Sequence, residues 1–282
     1  MVEALRKRGA VVVALTRKTS SPDRVSHLQK LGAEIAVVEL NDVAEVARAC
    51  AGATCVVSTL LGLRDVLVDA QTVLLEGAVK AGVPRFIPSD YSLDFSQLKP
   101  GENRNLDWHL EFQQRLVNAP IAATQILNGA FMELLTGPAP LILFKARRVL
   151  YWANPDQVLD FTAMDDVAAF TAAAALDEKA PKVLRIAGQQ LTARELTAIT
   201  SEVTGQKFRL TWAGTLGTLG LMIRAMRLFM PATSDPFPPW QGMQYTRNMF
   251  SGRGALTSLD NDRYPGMKWT QVRELLAARD GT

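Results

Sequence analysis

Apolar positions in the first 130 residues follow two alternating periods. Residues 11–15 are a continuous, largely β-branched apolar run (Val11, Val12, Val13, Ala14, Leu15), the pattern of a parallel strand buried on both faces. Residues 2–8 ahead of it read as a helix closed by Gly9, and residues 24–31 as a helix that stops at Gly32. A second strand over 34–40 leads to a helix capped by Asn41 or Asp42. In that helix Val43, Val46, Ala47 and Cys50 fall at i, i+3, i+4 and i+7. Strand 55–60, helix 66–81 with Gly82 beyond it, strand 85–88, helix 110–117 and strand 122–127 continue the succession. Strands and helices in turn, with short connections, predict an α/β domain built on a doubly wound parallel sheet with right-handed crossovers.

The second half is less regular. Residues 149–152 and 158–161 read as short strands, 165–176 as an Ala-rich helix that returns to the first layer, and 183–187 as a further strand. Thr192 and Glu195 form a capping box that opens a helix ending at Gly205. Residues 216–230 are an amphipathic helix rich in Met and Leu and carrying Arg224 and Arg227, a pair that either meets an anionic substrate or snorkels. A proline-rich loop over 231–239 follows, then Trp240, and 271–278 close the chain as a helix. The expected division is a domain over 1–150 and a smaller lobe over 151–282, with 160–180 packing back onto the first.

Composition narrows the function classes. The chain has 282 residues, of which 48% are hydrophobic and 21% charged, so it can bury a full core without disulfide or metal staples. Its net charge of +3 gives no basis for nucleic-acid binding. The two cysteines, Cys50 and Cys55, make no disulfide framework and point to a reducing, cytoplasmic compartment. With only His27 and His109 beside them, zinc-finger spacings and HExxH are absent. The apolar runs 119–132 and 134–144 are shorter than the ~20 residues a membrane span needs, and no signal peptide is visible. No membrane association is expected.

A doubly wound nucleotide-binding fold opens with a strand, a Gly-rich turn and a helix, so that backbone N–H groups and the helix dipole meet the pyrophosphate. Here the sequence begins inside what reads as that first helix, with no GxGxxG or GxxGxxG near the front. Two readings follow: a start that lacks the first strand and turn, which is favoured, or a chain that has lost the motif and binds no dinucleotide.

Several segments carry a family resemblance: Ala14-Leu15-Thr16-Arg17; Gly32-Ala33-Glu34 with Val37-Val38-Glu39-Leu40; Val56-Val57-Ser58; Gln71; residues 81–91, ending Pro88-Ser89-Asp90-Tyr91; and Asn128-Gly129-Ala130-Phe131-Met132. Together they resemble the NmrA-like and isoflavone-reductase-like branch of the atypical short-chain dehydrogenases. The resemblance covers most of residues 1–180, and Gly82-Val83-Pro84-Arg85-Phe86-Ile87-Pro88-Ser89 is its most specific part. It implies a Rossmann-type sheet, here lacking its first strand, with a smaller substrate lobe. It also implies either an NAD(P)-dependent reductase or a redox sensor that binds the dinucleotide without turning it over and answers to a protein partner.

The resemblance assigns the site residues. Arg17 and Lys18 would take the adenosine 2′-phosphate, for which a guanidinium is a planar, charged fork, so NADP is expected ahead of NAD; the other reading is a solvated basic loop. Glu39 and Leu40 would stand by the adenine, or simply end a strand. Ser58, Thr59 and Leu60 lie at a strand's C-terminal end, where open α/β sheets bind ligands, and would line the ribose. Gln71 is either a cofactor contact or an exposed helix position. Pro88 and Ser89 would lie near the nicotinamide, and Asn128 and Phe131 near its carboxamide, or in simple loop packing. Tyr91 suggests an acid–base phenol, but position 95 is Phe95, so the Tyr-x-x-x-Lys pair is missing there. Only Tyr264 has a lysine four residues on, Lys268, with Pro265 and Gly266 between. His109, counted back without gaps from Thr124, falls where isoflavone-reductase-like enzymes carry their catalytic lysine. Imidazole exchanges protons near neutral pH, and Asp107 or Glu111 would orient it; the plainer reading is an ordinary helix histidine. The expected function is NADPH-dependent reduction of a small, partly apolar organic substrate.

Overall fold

The computed structural model describes residues 1–137, 141–231 and 234–280. In chain order the elements are α1 (Val2–Lys7), β1 (Val13–Thr16), α2 (Pro22–Lys30), β2 (Glu34–Val37), α3 (Val43–Ala49), β3 (Val56–Val57), α4 (Gln71–Lys80), β4 (Arg85–Ile87), α5 (Arg104–Val117), β5 (Ala122–Ala123), β6 (Gln125–Leu127), β7 (Ala130–Phe131), β8 (Ile142–Leu143), β9 (Arg148–Trp152), β10 (Leu159–Thr162), α6 (Met164–Leu176), β11 (Val183–Arg185), β12 (Gln189–Leu191), α7 (Ala193–Thr204), β13 (Arg209–Gly214), α8 (Leu216–Phe229), α9 (Pro239–Phe250) and α10 (Val272–Asp280). They form two compact units. The first holds residues 1–90, 108–126 and 167–184, and the second 91–107, 127–166 and 185–282.

The first unit is the expected parallel α/β layer. β1 pairs with β2 in parallel, and β3, β4 and β5 form a second parallel set in that order. Both sets bury side chains in one core: Val56 and Phe86 from the strands, Val46, Leu74, Leu75 and Ala78 from α3 and α4, Phe112 and Leu116 from α5, with Leu15 and Ala123 packed against them. Among the described residues no ladder joins β1 to β3. Glu34 N–H and Val38 N–H donate to the carbonyls of Val12 and Thr16 at 2.9 Å, so the even residues of β1 face β2 and the odd ones face away. This corrects one expectation. The 11–15 run is not sealed on both sides: Val11 is 77% and Val13 44% exposed.

Residues 167–184 belong to this unit as well. Arg85, almost fully buried, donates to the carbonyls of Ala174 (3.0 Å) and Asp177 and to Thr124 Oγ1 (3.2 Å), a cation satisfied by neutral oxygens.

Three further boundaries differ from the sequence reading. The helix expected over 66–81 is a π-helical turn, Asp65–Ala70, followed by α4. The helix expected from 110 begins at Arg104. The strand over 55–60 is reduced to Val56–Val57, although Ser58 N–H still donates to Ile87 O at 2.8 Å.

The second unit has two three-stranded sheets, β12-β10-β7 and β13-β9-β8, around an apolar core that includes Met132, Leu159, Phe161, Leu196, Leu219, Phe250 and Leu276. The Thr192–Glu195 capping box is formed, and Gly205 closes α7 in the left-handed conformation at φ 63°. Trp240, expected beside a loop, is instead in the first turn of α9 and fully buried. Its ring lies under the guanidinium groups of Arg104 (4.6 Å) and Arg227 (5.2 Å), so Arg227 covers an indole. Residues 232 and 233 of the expected proline-rich loop lie outside the described residues. No helix among the described residues is long and apolar enough to cross a membrane.

Candidate active site

Parallel strands present their C-terminal ends together, and there the first unit gathers its polar side chains. At the tip of β1, Thr16 is buried and its Oγ1 has no hydrogen-bond partner among the described residues. Arg17 beyond it is exposed. Its backbone N–H donates to Ser20 Oγ at 3.1 Å, and among the described residues its guanidinium enters no ion pair. Lys18 reaches Glu39 beyond β2, Nζ to Oε1 3.5 Å, while Glu39 N–H is held by Glu45 Oε2 at 2.9 Å. Leu40 packs against the core. Of the two expected cations, then, Lys18 is already paired.

A second group forms at the tips of β3 and β4. Ser58 is 1% exposed, and its hydroxyl has no partner among the described residues. Thr59 is exposed and Leu60 half-buried, with Leu60 O accepting from Ser89 Oγ at 2.7 Å. Gln71, expected as a surface position or a cofactor contact, is fully buried. Its Nε2 donates to Leu67 O (3.0 Å) and its Oε1 accepts from Ser89 N–H (2.9 Å), so it pins the turn after Pro88 to the start of α4.

His109 belongs to the same end of the sheet. It is 6% exposed on α5, with Nδ1 2.9 Å from Asp90 Oδ1 just beyond β4. Asp90 is wholly buried, and its other oxygen accepts from the side-chain amides of Gln113 and Gln125, the latter at 3.0 Å. The sequence reading looked for the imidazole's partner in the wrong place. Asp107 accepts from Gly101 N–H, and Glu111 pairs with Arg64 and Arg115. Asp90 is 19 residues away in sequence, and only the fold brings it to the ring. Its position in the Pro88-Ser89-Asp90-Tyr91 segment was the available signal.

Asn128, Phe131 and Tyr91 belong to the second unit. Asn128 N–H donates to Ser92 O (3.0 Å) and its carbonyl accepts from Thr162 Oγ1 (2.7 Å), yet among the described residues both polar atoms of its fully buried side-chain amide lack partners. Phe131 ends β7, paired with Thr162 of β10. Tyr91 is half-buried, and Phe95 opens a short 3-10 turn, so no ammonium stands four residues on. Tyr264 lies just past another 3-10 turn with no helix running on to Lys268. The tyrosine–lysine chemistry therefore has no helical frame at either place.

Burial pushes the Cys55 thiol up to about 11 and raises that of Cys50, so neither is a thiolate near neutral pH. Among the described residues no group of three or more His, Cys, Asp or Glu is placed to hold a metal ion.

The model of the NmrA-like family matches residues 1–216. The chain belongs to that family. One curated protein of similar sequence is the oxidoreductase swnN of Metarhizium robertsii, 24% identical over 249 residues, which are 75% of this chain and 72% of that protein. Among solved structures, AtPrR2 with NADP+ and (+)pinoresinol superposes with a TM-score of 0.83 at 20% identity, over 98% of this chain and 93% of that one. The leucoanthocyanidin reductase–NADPH complex of Vitis vinifera gives 0.80 at 17% identity, over 100% and 95%. At such identities the likeness shows the fold: this NmrA-like chain has the Rossmann-type α/β architecture of those reductases.

Proposed function

We propose that this NmrA-like chain is an NADP(H)-dependent reductase of a small, partly apolar organic substrate such as a quinone, an enone or an aryl aldehyde. One observation carries the reading. An imidazole held by a buried carboxylate belongs to the same unit as two buried strand-tip hydroxyls, Thr16 and Ser58, that have no partner among the described residues. A buried hydroxyl without a hydrogen bond costs about 1–3 kcal/mol, so such groups call for a polar ligand. The NADP+ and NADPH carried by AtPrR2 and leucoanthocyanidin reductase, which share the fold, support the choice of ligand.

Arg17, exposed and in no ion pair among the described residues, is assigned to the 2′-phosphate, and Lys18, tethered to Glu39, to the field around it. Leu40 is assigned to the adenine, and Ser58, Thr59 and Leu60 to the ribose. Pro88 and Ser89 are assigned to the nicotinamide, with Gln71 acting through Ser89. The bound dinucleotide supplies the hydride. His109 supplies the proton as the imidazolium: its Nε2–H bond breaks as the O–H bond forms on the substrate oxygen, and the bonding pair stays on the nitrogen, which leaves the neutral Nδ1–H ring. Tyr91 has no part in the proton transfer.

Replacing Arg17 by alanine is expected to raise the Kd for NADPH by roughly 10–100-fold, the ~1.5–3 kcal/mol of a charged hydrogen bond, and to leave NADH binding unchanged. Equal losses for both dinucleotides would remove Arg17 from the phosphate. Oxidation of NADPH in the presence of quinones, enones and aryl aldehydes tests the reaction. Tight NADPH binding with no turnover across that panel would replace the reductase reading with that of a redox sensor.

A further inference from the structure

The Asp90 cluster contains more than one ion pair. A fully buried carboxylate must be met by donors, and three side chains from two elements do so. His109 and Gln113, four residues apart on one face of α5, and Gln125, the first residue of β6, all point at it. Both glutamine amides go to Oδ2, which leaves Oδ1 to the imidazole.

From this we infer that Asp90 is a positioning residue that fixes which nitrogen of His109 carries the proton, with Gln113 and Gln125 holding it in the acceptor role. The inference rests on the reductase reading only for its catalytic consequence. An ionised carboxylate accepts and never donates, so Nδ1 must keep its hydrogen. The neutral ring is then the Nδ1–H tautomer, and Nε2 is the atom that gives and regains a proton. The same contact serves the imidazolium as a charge-assisted bond. His109 can therefore pass from donor to spent form without turning its ring.

The choice of clamp matters. Gln113 and Gln125 satisfy Asp90 without adding charge. A lysine or arginine in either place would cancel much of the carboxylate's field at the imidazole, which at 2.9 Å and low dielectric is its strongest neighbour among the contacts described. Neutral amides thus hold the carboxylate in place and leave its charge to act on the ring.

Asp90→Asn gives a sharp test. The two glutamine amides still need an acceptor, so the new side chain turns its oxygen to them and its NH2 to Nδ1. Nδ1 becomes an acceptor and the proton moves to Nε2. Long-range 1H–15N correlation of the full-length, 15N-labelled protein reads the tautomer directly. The expected spectrum shows Nδ1–H for His109 in the unsubstituted protein and Nε2–H in D90N. Turnover of D90N is expected to fall about 10³-fold with KM and the NADPH Kd within about twofold, since without the carboxylate the donating imidazolium loses its charged partner at Nδ1, and a neutral Nε2–H ring is too weak an acid to replace it. An Nε2–H tautomer in the unsubstituted protein overturns the inference, even if D90N does not fold. An unchanged tautomer in a folded D90N also overturns it. Gln113→Leu, a milder change, is expected to keep the tautomer and lose less than tenfold in turnover. Should the tautomer invert as expected while His109→Gln leaves turnover intact, the positioning by Asp90 stands and the reductase role of His109 falls.

Discussion

His109→Gln is expected to lower kcat by about 10²–10⁴-fold, the usual contribution of a positioned general acid, while the NADPH Kd stays within about threefold. Glutamine keeps the bulk of the ring and can still donate to Asp90, so the cluster does not collapse around an unpaired buried carboxylate. What it cannot do is exchange a proton near neutral pH. The loss should therefore sit in kcat, with substrate and cofactor binding spared. Steady-state kinetics with NADPH and whichever substrate of the panel is turned over, paired with equilibrium titration of NADPH, separates the two. A variant that loses both kcat and binding would mark His109 as a packing residue. One that loses neither would place the proton donor elsewhere.

Gly129→Ala is expected to destabilise the protein by about 3 kcal/mol, combining ~1–2 kcal/mol for a side chain in the left-handed region with ~1–3 kcal/mol for overpacking. Gly129 has φ 68°, and an added Cβ would lie 2.5 Å from Asp160 Cβ and 2.6 Å from Asp160 O. Neither atom is free to yield. β7 starts at the next residue and is laddered to β10, which carries Asp160, and the Asp160 carboxylate is held by Gln190 Nε2 (2.6 Å) and Leu256 N–H (2.8 Å). Gly205 makes a clean control. It has φ 63° with nothing within 4 Å of the added Cβ, so Gly205→Ala should cost only about 1 kcal/mol of strain. Urea denaturation of the two variants measures the difference. Equal midpoints would mean that the backbone around Asp160 gives way more easily than its hydrogen bonds suggest.

Features whose cause is local could be read from the chain. The Thr192–Glu195 capping box and the glycine stop at Gly205 stand where the spacing put them, because both partners lie within one turn of the helix. The parallel order of the first unit followed from short apolar runs between helices. Exposure did not follow. Val11 and Val13 have the composition of a sealed strand, yet burial depends on what packs over each face of the strand, which the run itself does not report. α9 was missed for a different reason: between Trp240 and the apolar pair Met249 and Phe250, its buried positions are Gln241, Gln244 and Asn248, so no apolar periodicity runs along it. At the candidate site, the strand-tip residues were proposed from motifs of the family resemblance, and His109 by counting back from Thr124 within it. The carboxylate that holds His109 was not, because the nearby acids Asp107 and Glu111 are committed elsewhere and Asp90 arrives through the fold.

The central claim is that the strand tips of the first unit hold a 2′-phosphorylated dinucleotide. Direct calorimetric titration of the protein with NADPH and, separately, with NADH puts it to the most immediate test. Saturable NADPH binding at least tenfold tighter than that of NADH is the predicted result; no binding of either, or tighter binding of NADH, would contradict it.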